Sequence, residues 1–359
     1  MAAVSEKGEI SSQETRILHE TKKGFTYFER GDVLLAKITP CFENGKATLT
    51  NNLNTQIGFG STEFHVLRAF PDLILPEFIF YLVWNERFRI AAAKEMTGSA
   101  GQKRVSTDYL KEYKFYLPSI FEQEKIVAAL NKGYSIHRKR QQAIKLADDF
   151  LRAKFLEMFG TPANNIHRFP TGKIRDLVDS VNYGTSAKAS IDSGEYPILR
   201  MGNITYQGGW DFTDLKYLDL SVKEKDKFLV KEGDLLFNRT NSKELVGKTA
   251  VYEENRPMAF AGYLIRVRPN PIGNNYYISG YLNSIHGKIT LMNMCKSIVG
   301  MANINAQELQ NIEILIPPKH LQDEYEIIYK KIKKGLSIYD KSAMQLQLLA
   351  SNLSNEYFM

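Results

Sequence analysis

The chain repeats itself at a spacing of about 200 residues, and this repeat constrains the fold more than any other feature of the sequence. Three segments return at offsets of 200 to 202: GD at 31 and 233, GK at 45 and 247, and VSEKGEI (4–10) as ITYQGGW (204–210). Pro118 and Gln123 return as Pro317 and Gln322 at an offset of 199. Small changes of offset are what loop insertions and deletions produce. The sequence therefore predicts two copies of one structural unit.

Each half has the same order of predicted elements. A strand-rich portion comes first and contains DVLLAKI and EFHVLRAF in one half, DLLFNRT and GYLIRVRP in the other. A short helix (76–95 or 276–294), a glycine-containing loop and a strand ending in proline (YKFYLPS or IEILIPP) follow. Each half closes with a long proline-free helix, at 121–159 and 321–358. The predicted fold class is α+β, with strand-rich domains at 1–120 and 161–320 and long helices at 121–160 and 321–359.

Both long helices carry apolar residues at three- and four-residue spacing, which is typical of a seam against one partner helix. In the first helix, His137, Gln141 and Asp148 interrupt this seam. Either these polar residues fix the register of the helix packing, or they lie beside a water-exposed stretch. A long helix after each repeat suggests a spacer that holds two recognition units at a fixed distance.

Composition narrows the class of protein. A chain of 359 residues with 43% hydrophobic and 24% charged residues is typical of a globular protein with two domains. Its net charge of +7 favours a polyanionic partner such as DNA or RNA. Cys41 and Cys295 lie far apart without a C-x-x-C spacing, which disfavours a structural zinc site or a disulfide framework and favours a reducing compartment. No signal-like or membrane-spanning apolar run is present, so a cytoplasmic protein is expected.

Motifs for the common enzyme classes are incomplete. LVGKT (245–249) matches the end of a phosphate-binding loop, but Ser242 stands where the first glycine of that loop is required. The segment NPIG (270–273) lacks the second proline and the aromatic residue expected of an adenine methyltransferase. Asp72 and Glu77 flank an apolar run and do not form the carboxylate cluster of a nuclease. The six histidines contain no H-x-x-x-H pair. These residues therefore make an enzyme in its own right the least favoured hypothesis for this chain.

Three features resemble the specificity (S) subunit of type I DNA restriction-modification systems. They are GDVLLAKITPCFENGKA (31–47) followed by GFGSTEFHVLR (58–68), the passage GSAGQKRVSTDYLKEYKFYLPSIFEQEKI (98–126), and the duplicated order of domain and helix. The resemblance extends over essentially the whole chain. The second half matches less closely, with Ala302 replacing the loop lysine and Leu321 replacing Glu122. The first domain lacks a counterpart of about forty residues before Met201, so it is expected either to be short in nature or to continue upstream of Met1.

The resemblance implies a division of labour. Each target-recognition domain would read one half of a bipartite double-stranded DNA sequence, and the two long helices would pack as an antiparallel coiled coil that sets the gap. The chain would be non-catalytic and would bind no cofactor itself. It would dock methyltransferase (modification) subunits and translocase-nuclease (restriction) subunits, in which S-adenosylmethionine, ATP and Mg would be used. A second hypothesis is a truncated or orphan subunit that acts mainly as a helix-mediated assembly protein.

Side chains that suit DNA contact concentrate in loops at corresponding places of the two halves. Arginine can bridge guanine, asparagine and glutamine can bridge adenine, and lysine neutralises phosphate. The candidates are Lys37, Thr39, Lys46, Gln102, Lys103, Arg104, Tyr206, Gln207, Asn238, Arg239, Asn241, Lys243, Lys248 and Asn303. For each of them a turn or a solvated loop is the competing interpretation. The basic runs at 138–140 and 330–334 either contact DNA or a partner, or are solvated helix faces.

Overall fold

The computed structural model describes residues 1–21, 23–99, 101–242, 244–295 and 302–358, without the side chains of residues 20, 339–344, 346 and 347. The chain divides into two compact units. Unit 1 comprises Met1–Gln142 and Asp340–Met359, and unit 2 comprises Ala143–Tyr339. The mixed helix and strand content predicted from the sequence is confirmed.

Unit 1 contains two small antiparallel sheets followed by helices. Its elements are α1 (Leu18–Thr21), β1 (Thr26–Glu29), β2 (Val33–Ala36), β3 (Ala47–Leu49), β4 (Ile57–Gly60), β5 (Phe64–Leu67), α2 (Pro76–Trp84), α3 (Glu86–Lys94), α4 (Thr107–Glu112) and the start of α5 (Ile120–Phe159). One sheet pairs β1 with β4, and the other has the order β3-β2-β5. Fully buried side chains of β2, such as Val33 and Leu35, pack with Phe42 and Phe88 to form its core.

Unit 2 has the same plan with additional strands. Its elements after α5 are β6 (Thr171–Lys173), β7 (Val178–Tyr183), β8 (Tyr196–Leu199), β9 (Lys216–Leu218), α6 (Val222–Phe228), β10 (Leu229–Val230), β11 (Leu235–Asn238), β12 (Thr240–Asn241), β13 (Thr249–Val251), β14 (Met258–Phe260), β15 (Leu264–Pro269), α7 (Asn275–Asn283), α8 (Ile285–Met294), β16 (Ala302–Asn303), α9 (Ala306–Gln310), β17 (Glu313–Leu315) and α10 (Lys319–Tyr357). The strand orders are β10-β14-β8-β9, β13-β11-β15-β7, β12-β16 and β17-β6. The core centres on Phe155, Phe159, Tyr277 and Tyr325.

The repeated residues perform the same structural task in each unit. Asp32 and Asp234 are buried at the start of β2 and β11, where Arg68 and Arg268 donate to their carboxylates at 2.7 Å and 2.8 Å. The glycine before each aspartate has a positive φ, as the turn interpretation of the Gly-Asp pairs requires. The segments 4–10 and 204–210 each form an isolated antiparallel bridge, Val4 with Ile10 and Ile204 with Trp210. The offset of 200 is therefore a structural equivalence.

Two buried glutamines explain the repeat at 123 and 322. The Gln123 side-chain amide donates to the carbonyls of Leu73 and Pro118, at 3.0 Å and 2.9 Å. The Gln322 amide donates to the carbonyls of Ile272 and Pro317, at 3.0 Å and 2.8 Å. Each glutamine thus ties the start of a long helix to the proline before it and to a distant loop.

The short helix predicted in each half is in fact two helices. Asn85 separates α2 from α3, and its side chain accepts hydrogen bonds from the backbone N–H groups of Arg87 and Phe88. Ser284 separates α7 from α8 and accepts from the N–H of Gly287. Both residues have extended ψ angles, 136° and 161°. A side chain that caps the second helix stabilises this break, and the apolar periodicity did not reveal it.

The sequence predicted in each half a strand that ends in proline, YKFYLPS and IEILIPP. This strand forms in unit 2 only. In unit 2, β17 forms because β6 pairs with it, with Ile314 opposite Gly172. In unit 1, residues 113–119 are described throughout and contain no strand. A strand requires a hydrogen-bonded neighbour, so the same local sequence pattern gives different structures in the two units.

Candidate nucleic-acid interface

In unit 2 a short two-stranded ribbon joins two loops that are far apart in sequence. Strand β12 pairs with β16, so that Thr240 lies opposite Asn303 and Asn241 opposite Ala302. The Thr240 hydroxyl donates to the Asn303 side-chain oxygen at 3.0 Å. The ribbon brings four predicted site residues together, namely Asn238, Arg239, Asn241 and Asn303. Lys243, which the sequence analysis also places in this loop, lies outside the described residues.

Unit 1 contains the equivalent ribbon. Ile38 bridges Arg104 in antiparallel fashion, and the N–H of Thr39 donates to the carbonyl of Lys103 at 3.0 Å. The Thr39 hydroxyl oxygen in turn accepts from the Lys103 N–H at 3.1 Å. Lys37, Thr39, Lys103 and Arg104 are therefore neighbours, and the exposed Gln102 adjoins them. The two units present different side chains on one backbone arrangement.

The ribbon continues in the same way in both units. The N–H of Val105 donates to the carbonyl of Lys37 at 3.0 Å, and the N–H of Ile304 donates to the carbonyl of Arg239 at 2.9 Å. Val105 and Ile304 are buried, at 2% and 0% exposure, and anchor their strands in the core. A buried anchor under a partly exposed ribbon gives polar side chains a rigid base, which is what a recognition surface requires.

Arg239 is held by an aromatic ring. Its guanidinium carbon lies 4.9 Å from the centre of the Tyr183 ring, and its Nη1 donates to the carbonyl of Gly262 at 3.3 Å. Tyr183 is fixed because its hydroxyl oxygen accepts from the N–H of Ala306. Arginine stacked on an aromatic face is preorganised, so it loses less rotamer entropy when it binds a planar acceptor. Asn238 differs, because it is fully buried, and its side chain reaches a base only if it moves.

Arg104, the first-unit residue opposite Ile38, is engaged by a carboxylate. Its Nε and Nη2 donate to both oxygens of Glu63 at 2.9 Å to 3.2 Å. The Arg104 guanidinium holds the pKa of the Glu63 carboxyl below its usual value. In unit 2 the matching positions are the neutral Tyr263 and Asn303. The positive charge of Arg104 at the ribbon of unit 1 is therefore partly cancelled by Glu63. Lys37 and Lys103 are the other two cations of this ribbon.

A second group of predicted residues gathers around Lys288, away from any sequence motif. The Lys288 ammonium lies 5.0 Å from the centre of the Tyr206 ring, while Gln207 is exposed beside it in the chain. Burial and then the charges of Arg152 and Lys248 lower the pKa of Lys288 to about 8. Burial likewise lowers the pKa of Lys248. This Lys288 cluster has three cations and is suited to an anionic group.

The GK pairs have a structural role. Gly45 and Gly247 have φ of +77° and +78°, and the carbonyls of Lys46 and Lys248 accept from the N–H groups of Ala36 and Asn238. Thr249 begins strand β13, whereas a phosphate-binding loop leads into a helix. Lys46 is half-buried, whereas the ribbon residues Gln102 and Lys103 are exposed to solvent.

Two residues of the candidate interface were not predicted. Tyr183 lies in a strand, and its only sequence signal is an exposed aromatic in an alternating run. Lys288 lies mid-helix with no motif around it. Both become recognisable only because the fold places them beside Arg239 and Tyr206, respectively.

The described part of the chain offers no other obvious chemistry. No group of three His, Cys, Asp or Glu side chains in these ranges could hold a metal ion. None of the helices within them is long and apolar enough to cross a membrane.

The basic helix runs are partly paired internally, because Lys330 contacts Glu326, Lys333 contacts Asp148 and Arg138 contacts Glu9.

Comparison with known proteins identifies a family. The family model of the type I restriction modification DNA specificity domain matches residues 5–146 and again residues 168–350. The EcoAI specificity subunit of Escherichia coli is 32% identical over 223 residues, which cover 60% of this chain and 37% of that protein. The EcoEI specificity subunit of the same species is 32% identical over 230 residues, covering 62% and 38%. The chain thus spans less than two fifths of the length of these relatives.

Solved structures have the same fold. The S subunit of a type I restriction-modification system from M. genitalium aligns with a TM-score of 0.62 at 14% identity, covering 93% of this chain and 84% of that one. A chain from a study of complex assembly and conformational transition in a type I R-M system aligns with a TM-score of 0.57 at 20% identity, covering 99% and 89%. At these identities the likeness concerns the fold alone.

Proposed function

The chain belongs to the type I restriction-modification DNA specificity family, and on that premise we propose that it is a DNA sequence-recognition subunit that reads a bipartite target. The single observation that carries the proposal is the ribbon present in both units, which joins two loops and carries a different side-chain set in each. The two ribbons share one backbone arrangement and carry different side chains. Such a pair is suited to recognising two half-sites of different sequence.

The ribbon side chains of unit 2 suit base contact. Arg239, stacked on Tyr183, can donate two parallel hydrogen bonds to guanine, and Asn241 or Asn303 can pair with adenine. In unit 1, Lys37 and Lys103 suit phosphate, and the exposed Gln102 suits adenine. The Lys288 cluster would neutralise a phosphate beside the second module.

The long helices would act as the spacer, paired as an antiparallel coiled coil. Within unit 2, Phe155 lies against Tyr325 and Asp148 pairs with Lys333 at 3.0 Å. Within unit 1, a Cβ added to Gly133 would lie 3.6 Å from the Ala350 side chain. From one of these contacts to the next, the residue number increases in α5 while it decreases in α10, as expected for antiparallel helices. The Asp148–Lys333 contact favours the hypothesis that polar residues fix the register.

As a specificity subunit, the chain would be non-catalytic and cytoplasmic. It would dock modification subunits that use S-adenosylmethionine and restriction subunits that use ATP and Mg. The competing function, an orphan subunit that serves mainly in assembly, predicts helix-mediated binding of modification subunits without a defined DNA target.

A methylation-site profile tests the proposal. Cells that carry the matching methyltransferase are compared with and without this gene, and a bipartite methylated motif should appear only with it. Arg239→Ala and Asn241→Ala should each relax one half-site by about 1–3 kcal/mol, while the other half-site is unchanged. Lys223→Ala, which removes an exposed cation from α6 of the same unit, serves as the control. Equal loss at both half-sites, or methyl transfer by this chain alone, would refute the proposal.

A further inference from the structure

The long helix α5 contributes a cation to the Lys288 cluster. This helix packs on α7, because a Cβ added to Gly280 would lie 2.6 Å from Cδ2 of Phe155. Arg152 lies three residues before Phe155, so the two side chains are neighbours on one side of α5. Burial is the first cause of the lowered pKa of Lys288, and the charges of Arg152 and Lys248 are the next two. A residue of the predicted spacer helix is therefore the third cation of this cluster.

Two turns bring Lys248 and Tyr206 against the helix pair α7 and α8. A Cβ added to Gly247 would lie 2.6 Å from Cδ1 of Leu291 in α8. A Cβ added to Gly208 would lie 2.5 Å from a side-chain nitrogen of α7. Both turns therefore approach the helices more closely than a residue with a side chain would allow. This close approach buries Lys248, which is 8% exposed.

The three cations of the cluster have no carboxylate partner. Within the described ranges, no hydrogen-bond acceptor contacts the Lys288 ammonium, which is enclosed by the protein. None of the ion pairs between described side chains includes Arg152, Lys248 or Lys288. The half-buried Arg268, in contrast, is paired with Asp234. Burial of cations without a counter-charge costs free energy, so the packing of unit 2 does not by itself explain this cluster.

The arrangement of the three cations favours a phosphoryl group over a carboxylate. A carboxylate presents two oxygens in one plane, and a single arginine can occupy both. Arg152, Lys248 and Lys288 come from three separate elements, whereas a phosphoryl group carries oxygens on several sides. It therefore suits one planar guanidinium together with two ammonium groups. Tyr206 is 44% exposed and Arg152 is half-buried, so the cluster meets solvent at these two side chains.

We infer that the Lys288 cluster binds one phosphoryl group, with Arg152, Lys248 and Lys288 as its donors. The phosphoryl group belongs either to the DNA backbone or to a free phosphate. The DNA source rests on the proposed function, whereas the free source does not. In both cases the anion supplies a counter-charge for the three cations and an acceptor for the enclosed ammonium, so its binding stabilises unit 2.

The first experiment measures the binding of inorganic phosphate to the full chain by isothermal titration calorimetry at constant ionic strength. Lys288→Met and Arg152→Gln should each weaken this binding by about tenfold or more, because each removes a charge-assisted hydrogen bond. Lys288→Met is expected to fold, since an apolar side chain of similar size replaces an enclosed charge. Lys223→Met, which removes an exposed cation from α6 of the same unit, should leave phosphate binding unchanged.

The second experiment identifies the source of the phosphoryl group. Binding of a mixed-sequence DNA duplex to the full chain is followed by fluorescence anisotropy over a range of salt concentrations. If the DNA backbone is the source, the double variant Lys288→Met with Arg152→Gln should lower the salt slope by about 0.9, the value for one phosphate. If a free phosphate is the source, the double variant should leave this slope unchanged and lose only the binding of inorganic phosphate.

The inference is overturned if neither phosphate binding nor the DNA salt slope depends on Lys288 and Arg152. An equal loss in Lys223→Met would also overturn it, because the attraction would then come from the overall charge of unit 2. Failure of the proposed function is a separate result. Cluster-dependent phosphate binding by a chain that reads no bipartite target would retain this inference and reject the proposed function, and a bipartite target read without any role of the cluster would do the reverse.

Discussion

Gly247 lies in the segment LVGKT, which resembles the end of a phosphate-binding loop. An alanine substitution at Gly247 tests whether this glycine has a structural role. Its φ of +78° lies in the left-handed region, and a Cβ added there would lie 2.6 Å from Cδ1 of Leu291. Leu291 is 1% exposed, so it has little room to move away. Gly233 is the matched control, because its φ is +86° and no heavy atom lies within 4 Å of an added Cβ.

The two alanine variants separate backbone strain from steric conflict. Left-handed backbone costs an L-residue about 1–2 kcal/mol, and Gly233→Ala should lose about that much free energy of unfolding. Gly247→Ala should lose the same amount plus about 1–3 kcal/mol for overpacking against Leu291. The difference between the variants, about 1–3 kcal/mol, measures the contact with Leu291 alone.

The two tryptophans supply the assay. Trp84 belongs to unit 1 and Trp210 to unit 2, and the sequence contains no others. In a Trp84→Phe background, urea unfolding followed by fluorescence reports unit 2 through Trp210. Equal losses for the two glycine variants would refute the steric argument. A stable Gly247→Ala protein that loses nucleotide binding would restore the phosphate-loop interpretation.

Three further predictions concern charge. Lys288→Met should stabilise unit 2 by up to about 3 kcal/mol near pH 7, because the pKa of about 8 means that the folded state bears the cost of the charged lysine. This gain in free energy of unfolding should decrease as the pH rises from 8 and vanish above 10.5, the ordinary pKa of lysine, because Lys288 is then neutral in both the folded and the unfolded state. A gain that does not change with pH in urea unfolding would contradict this prediction. A double-mutant cycle on Asp148 and Lys333 should give a coupling of about 1 kcal/mol, and zero would remove the register argument. Lys103→Ala should lower the salt slope of DNA binding by about 0.9, because this lysine is assigned to a phosphate. Arg239→Ala should lower the affinity and leave the slope unchanged, because this arginine is assigned to a base, and a slope lowered by about 0.9 in Arg239→Ala would contradict that assignment.

The sequence selects the candidate site residues by side-chain type, whereas their places relative to one another depend on the fold. Lys103 and Thr39, or Asn303 and Thr240, are more than sixty residues apart in sequence, yet a backbone hydrogen bond joins the first pair and strand pairing places the second pair opposite each other. Residue type predicts what a side chain can donate or accept, whereas its neighbours depend on strand pairing. Asn238 makes the limit clear, because a polar residue in a polar loop is fully buried in the fold.

The sequence by itself determined the duplication, the α+β class, the two long helices and the family, because repeated turns, capping signals and apolar periodicity act over short distances along the chain. The tertiary structure alone decided which loops meet in the ribbon, which ring holds Arg239, and that Tyr116 is exposed while Leu315 is buried. These outcomes depend on hydrogen bonds and burial between residues distant in sequence. A local pattern predicts a strand, but only a neighbouring strand can satisfy its backbone.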